Sequence, residues 1–124
     1  MLLTVGYVAA GGALGSALRY LVNVAALRIA PGLPLGTLAV NVLGCAIMGV
    51  LATTLAMKGG LRWQPFLLTG VMGGFTTFSA FSLDAMGLWE RGQVQAAIAY
   101  VGASVILSLL AVLAGAALAK GVLG

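Results

Sequence analysis

GVMGGFTTFSAFSLD, residues 70 to 84, is the stretch on which the fold turns. It sets three glycines, two threonines, two serines and three phenylalanines where hydropathy demands a membrane-spanning helix. A lipid-facing helix has no use for hydroxyls at depth. They are tolerated where they face a partner helix or a hydrated pathway, and a weakened helix needs other groups to satisfy its backbone. Function is therefore sought in this segment.

Outward from it, the 124 residues are 62% hydrophobic and 6% charged, against about 25% charged in a soluble domain. The chain reads as an integral membrane protein. Spans need roughly 20 mainly apolar residues, and four are expected, at about residues 2 to 26, 35 to 57, 65 to 88 and 94 to 119, forming a single four-helix domain. Short turns separate them: Arg28 to Pro34, Lys58 to Pro65, and Glu90-Arg91-Gly92. The opening MLLTVGYVAAGGALG lacks the basic region of a signal peptide and reads as the start of the first helix. A single cysteine, Cys45, reads as a small packing residue, and the absence of histidine removes the commonest metal ligand and proton shuttle.

The net charge is +4, but the six basic residues are scattered singly, which argues against nucleic acid as a partner. With a cytoplasmic N-terminus, Lys58, Arg62 and Lys120 fall inside, and Arg28 and Arg91 outside, joined by Arg19 if it reaches that interface. Such a balance gives no Lys/Arg bias. It leaves open one weak orientation or dual insertion with an antiparallel homodimer. Four packed helices leave no aqueous lumen, so a polar pathway is expected to be completed at a subunit interface. Gly11-x-x-x-Gly15 and Gly70-x-x-x-Gly74 support close helix packing.

Four features stand out. Tyr100, Ser104 and Ser108 recur every four residues and share one face of the last span; they form a polar stripe, or each serine bonds back to its own helix. Asn41 in the second span forms a helix-packing hydrogen bond or offers its amide donors to a passing anion; Thr37, one turn earlier, is a weaker signal. Phe78 and Phe81 share a face, with Phe75 before them. They are core or lipid-facing, or they turn positive ring edges toward a small anion, with the hydroxyls of Thr77, Ser79 and Ser82 nearby. Gly73-Gly74 followed by Thr76-Thr77 is expected to interrupt the third helix near its midpoint. The carbonyls so freed suit a hard cation such as sodium, and the restarting helix presents N–H groups to an anion.

These residues resemble the CrcB/Fluc fluoride channels over essentially the full chain, through GGALGSALRY (11 to 20), GTLAVNVLG (36 to 44), GVMGGFTTFSAFSLD (70 to 84) and the Tyr-Ser-Ser stripe. The third motif is the most specific. The resemblance implies an all-α, dual-topology antiparallel homodimer in the prokaryotic inner membrane, passing fluoride out of the cytoplasm and relieving its toxicity. It implies that Phe78, Phe81, Asn41, Ser79, Tyr100, Ser104 and Ser108 line the fluoride path and that Arg19 concentrates anions near it. It also implies that backbone carbonyls of Gly73 and Thr76, from both subunits, hold a structural sodium. One departure is Ala80, where the family pattern has threonine, so one hydroxyl of the path is missing.

Two other classes compete. A small proton-coupled multidrug transporter also has four spans, but needs an acid in its first helix; the only acids here are Asp84 and Glu90, read as interfacial or capping groups. A purely structural subunit explains the glycines but not the stripe. No nucleophile, base and orienting group occur together, so an enzyme is not expected.

Overall fold

Apolar segments that cannot offer their backbone to water close it on itself as helix. The computed structural model describes all 124 residues. Its elements are α1 (Leu2–Ile29), α2 (Leu35–Lys58), a 3-10 turn (Leu61–Trp63), a π-helical stretch (Pro65–Met72), α3 (Gly73–Phe75), α4 (Phe78–Glu90) and α5 (Val94–Leu123). Four helical segments are long and apolar enough to cross a membrane: Leu2–Ile29, Leu35–Lys58, Leu61–Glu90 and Val94–Leu123. The shortest has 24 residues, about 36 Å at about 1.5 Å per residue, against a hydrocarbon core of about 30 Å. Each therefore reaches the headgroup level. The helices run past the expected ends because Arg28, Lys58 and Lys120 sit in last turns, where a cation favours the exposed carbonyls.

The third span is bent where the backbone goes extended at Thr76 (φ −87°, ψ 156°) and Thr77 (φ −155°, ψ 124°). That places the interruption near the midpoint, as expected, but on the threonines rather than on the glycine pair. Gly73 is helical, at φ −62° and ψ −37°. β-branched residues are at ease in extended backbone, and Thr77 secures the restart: its Oγ1 accepts the Ala80 N–H at 3.1 Å, an N-cap for α4.

The glycines serve packing instead. A Cβ on Gly74 would lie 2.6 Å from the Gly12 carbonyl oxygen, and one on Gly70 would lie 2.9 Å from the Gly11 Cα. The two small-residue motifs thus face each other within one chain and press the third span onto α1. A second pair, Gly49 and Gly115, does the same between α2 and α5: a Cβ on Gly49 would lie 2.8 Å from the Ala116 N, and one on Gly115 would lie 3.0 Å from the Ala46 carbonyl carbon.

The bend lets the third span change neighbours. Its π-helical half and α3 lie along α1, whereas α4 packs on α5 and touches α2. Two small cores follow: Val40, Met72 and Phe75 before the bend, and Phe81, Leu88, Ala97 and Tyr100 after it. Phe75 is therefore separated from Phe78 and Phe81, not aligned with them as an unbroken helix would require.

Gly15→Ala tests the close approach. Its methyl group would lie 2.8 Å from the Phe75 N and would also overlap the Val71 carbonyl; because both are backbone, neither can yield by a rotamer change. We expect a loss of about 1–3 kcal/mol, read as a lower unfolding temperature in detergent. Gly102→Ala, inside α5 and with nothing within 4 Å, does not lower that temperature.

Candidate functional site

Extended backbone at Thr76 and Thr77 releases peptide groups at membrane depth, and side chains from two other helices meet them. Asn41 of α2 pairs with Thr77 on both sides: its Nδ2 donates to the Thr77 carbonyl at 3.0 Å, and its Oδ1 accepts the Thr77 N–H at 2.8 Å. The amide reproduces a peptide's own hydrogen-bonding edge. Since a primary amide carries two N–H donors, one remains after the bond to Thr77. Arg19 of α1 donates from Nε to the Gly74 carbonyl at 3.0 Å, replacing the helical donor that the bend removes. The hydroxyl of Thr76 donates to the Met72 carbonyl at 2.9 Å.

These pairings decide which carbonyls stay free. In a continuous helix the Gly73 carbonyl would accept the Thr77 N–H and the Thr76 carbonyl the Ala80 N–H. Those donors go to Asn41 Oδ1 and Thr77 Oγ1 instead. Gly73 and Thr76 thus both lose the donor of the next turn, and both border the same groove.

That groove has a volume of about 500 Å³. Asn41 and Cys45 form its α2 wall, Phe78 and Phe81 with the N-cap Thr77 its α4 wall, and Ser104 and Ser108 its α5 wall. Ser104 is buried close to the Tyr100 phenol, but its Oγ completes no hydrogen bond of proper geometry within the chain. The back-bonded alternative therefore does not hold for Ser104. A buried hydroxyl without a partner is unusual in a folded chain, and here it stands in the wall of an open groove.

The two rings differ in setting. Phe81 is 8% exposed and packs between Phe78, with centroids 5.5 Å apart, and Tyr100, at 5.3 Å. Phe78 is 78% exposed within the chain. Both pairs are tilted, at 59° and 43°, so neighbouring rings offer edge to face rather than stacking flat. Tyr100 donates its phenol to Asp84 Oδ2 at 3.3 Å, and Thr37 is buried beside it. The polar stripe ends at Asp84 as a hydrogen-bond acceptor, a part that its reading as an interfacial or capping group missed.

Not every expected residue reaches the groove. Ser79 is exposed, with its Oγ 3.3 Å from Thr77 Oγ1. Arg19 sits behind the bend on the Gly74 carbonyl. The Ser82 hydroxyl donates back to the Phe78 carbonyl at 2.9 Å, and Thr77 Oγ1 serves as the cap. Asn41 was legible as a polar residue at depth, but no local signal names Thr77 as its partner 36 positions away.

The chain is similar over most of its length to known proteins. Residues 6–116 match the family described as CrcB-like protein, Camphor Resistance (CrcB). A protein of Paracoccus denitrificans named fluoride-specific ion channel FluC is 61% identical over 114 residues, 92% of each chain. Proteins of the same name from Cereibacter sphaeroides and Ruegeria sp. are 58% identical over 115 residues and 51% identical over 125 residues. The first alignment covers 92% of each chain and the second 99%.

Proposed function

The chain belongs to the CrcB family, and from that premise we infer that it is a fluoride-specific ion channel of the membrane. The observation that carries this reading at the level of atoms is the buried, unpartnered Ser104 Oγ in a groove shared with Asn41, Phe78, Phe81 and Ser108. A permeating fluoride supplies the missing acceptor, and as it moves on the hydroxyl is left without one again. Binding is then favourable enough for entry and weak enough for exit.

Fluoride enters cells as neutral HF, ionises at cytoplasmic pH and is trapped. A passive pore lets it leave down its electrochemical gradient. The chain's own groups replace the hydration shell in steps: the free Asn41 N–H, the ring edges of Phe78 and Phe81, and the hydroxyls of Ser104 and Ser108. Arg19 adds a fixed positive charge behind the bend, which raises the local anion concentration. Ala80 contributes no hydroxyl, so at its position the path relies on the neighbouring rings.

The working unit in this reading is an antiparallel homodimer in the inner membrane. Three observations support it. The groove is open on one side, the Phe78 ring lies uncovered in a single chain, and Lys58, Arg62 and Lys120 at one end are balanced by Arg28 and Arg91 at the other. A second copy closes the groove and covers the ring. The Gly73 and Thr76 carbonyls, deprived of helical donors, fit a sodium ion, which favours oxygen ligands. Bound there, sodium would supply a fixed positive charge among those carbonyls. On this reading unfolding temperature rises with sodium at constant ionic strength and not with potassium or N-methylglucamine; a response equal for all three removes the sodium site.

Expression in a bacterial strain lacking fluoride export tests the function in cells. Growth in fluoride is expected to be restored by the chain and not by Phe78→Ile made in equal amount. Equal growth with and without the intact chain contradicts the reading.

A further inference from the structure

The two ends of the bundle differ in charge. The end at which α1 begins, α2 stops, the third span starts and α5 finishes carries Lys58, Arg62 and Lys120 with no acid. The opposite end holds Arg28 and Arg91 together with Asp84 and Glu90. On the acid-free end lies a second cavity of about 470 Å³, lined by Tyr7, Arg62, Trp63 and Phe66. It is unrelated to the groove at the bend.

We propose that this cavity is a binding site for the phosphodiester headgroup of an anionic phospholipid. Its chemistry has two parts. Arg62 is the only charged group in the lining, and its guanidinium lies 5.8 Å from the centroid of the Trp63 ring. No acid lines the cavity, so within the chain the N–H fork of Arg62 meets no carboxylate there. A guanidinium fork matches two phosphate oxygens. Tyr7, Trp63 and Phe66 supply an aromatic wall for the glycerol and the first methylenes of an acyl chain, the role such rings take at membrane interfaces.

Height in the bilayer agrees. Arg62 and Trp63 belong to the first turn of the third span, and Tyr7 to the second turn of α1. Spans longer than the hydrocarbon core place these turns among the headgroups. Lys58, at the last turn of α2 and four positions before Arg62, adds a second cation at the same level. A zwitterionic lipid brings an amine that finds no acid in this lining; an anionic one brings only the charge that the site lacks. The preference expected from one basic group at the surface is about fivefold.

The two tryptophans make the test internal. Trp63 lies at the acid-free end and Trp89 near the turn at the other. Trp89→Phe leaves Trp63 as the reporter, and Trp63→Phe leaves Trp89. Each is reconstituted in mixtures of phosphatidylcholine with brominated phosphatidylglycerol, and in the converse mixtures with the bromine on phosphatidylcholine. Trp63 quenching is expected to report about a fivefold preference for phosphatidylglycerol, falling to none in Arg62→Gln and retained in Lys120→Gln. Trp89 is expected to report no preference. Inorganic phosphate in the buffer leaves the Trp63 preference in place if the ligand is a lipid and abolishes it if free phosphate occupies the site. Equal quenching by the two lipids at Trp63, an equal preference at Trp89, loss to free phosphate, or an unchanged preference in Arg62→Gln overturns the proposal.

Discussion

Asn41→Asp is expected to lower fluoride efflux at least about a hundredfold. The change keeps an acceptor for the Thr77 N–H but sets a second oxygen against the Thr77 carbonyl, where Asn41 donates at 3.0 Å. It also puts a negative charge in the wall of an anion path. Two unit charges about 5 Å apart at an effective dielectric of about 20 repel by about 3 kcal/mol, which is about a hundredfold in occupancy. Asn41→Ala separates the two effects. It leaves the Thr77 N–H and carbonyl without partners, at about 1–3 kcal/mol for each group, but adds no charge. Its loss therefore falls on the unfolding temperature, and efflux per folded channel drops less than in the aspartate variant. Equal efflux in the two variants would show that the amide acts on the bend alone.

Phe78→Ile is expected to reduce efflux between about tenfold and a hundredfold, the range given by losing one contact to a charged ligand at about 1.5–3 kcal/mol. What makes it informative is the ring's setting. Phe78 is 78% exposed within its chain and touches Phe81 at 5.5 Å, so its removal costs the fold of the chain little beyond one aromatic pair, about 0.5–1.5 kcal/mol. Isoleucine is as apolar and has no positive edge. Phe81→Ile, by contrast, also opens space against Tyr100, 5.3 Å away, and lowers stability as well as efflux. A Phe78→Ile channel that conducts normally would assign the ring to packing alone.

Much of this arrangement was legible in the residues themselves, for identifiable reasons. Hydropathy located four spans because unbroken apolar runs of about 20 residues satisfy their backbone in lipid as helix. The interruption of the third span was legible because glycines and β-branched residues rarely coincide in a buried helix. Its position two residues later was not, since local propensity cannot tell a glycine that breaks a helix from one that lets α1 approach. Gly12 and Gly74 are 62 positions apart, and only the folded chain brings them into contact.

The same limit applies at the site. Asn41 stood out as a polar residue, and its spacing from Gly36 placed it at depth. That its amide would pair with both sides of one peptide 36 positions away depends on the tilt of α2 against the bend. Arg19 read as an electrostatic attractor for anions, whereas its nearest task is the orphaned Gly74 carbonyl. Its charge acts from there. Asp84 read as an interfacial group because nothing in its neighbourhood names Tyr100, 16 positions on, as its donor. The π-helical turns of Pro65–Met72 left no trace in residue type, because Leu, Val and Met occupy either register.

The central claim, that this chain is a fluoride-selective pore, is tested most directly by anion efflux from liposomes holding only the purified protein. With fluoride and chloride loaded together and potassium carried by valinomycin, rapid loss of fluoride with retention of chloride is the expected result, abolished or strongly slowed by Phe78→Ile. Retention of both anions, or loss of both at one rate, contradicts it.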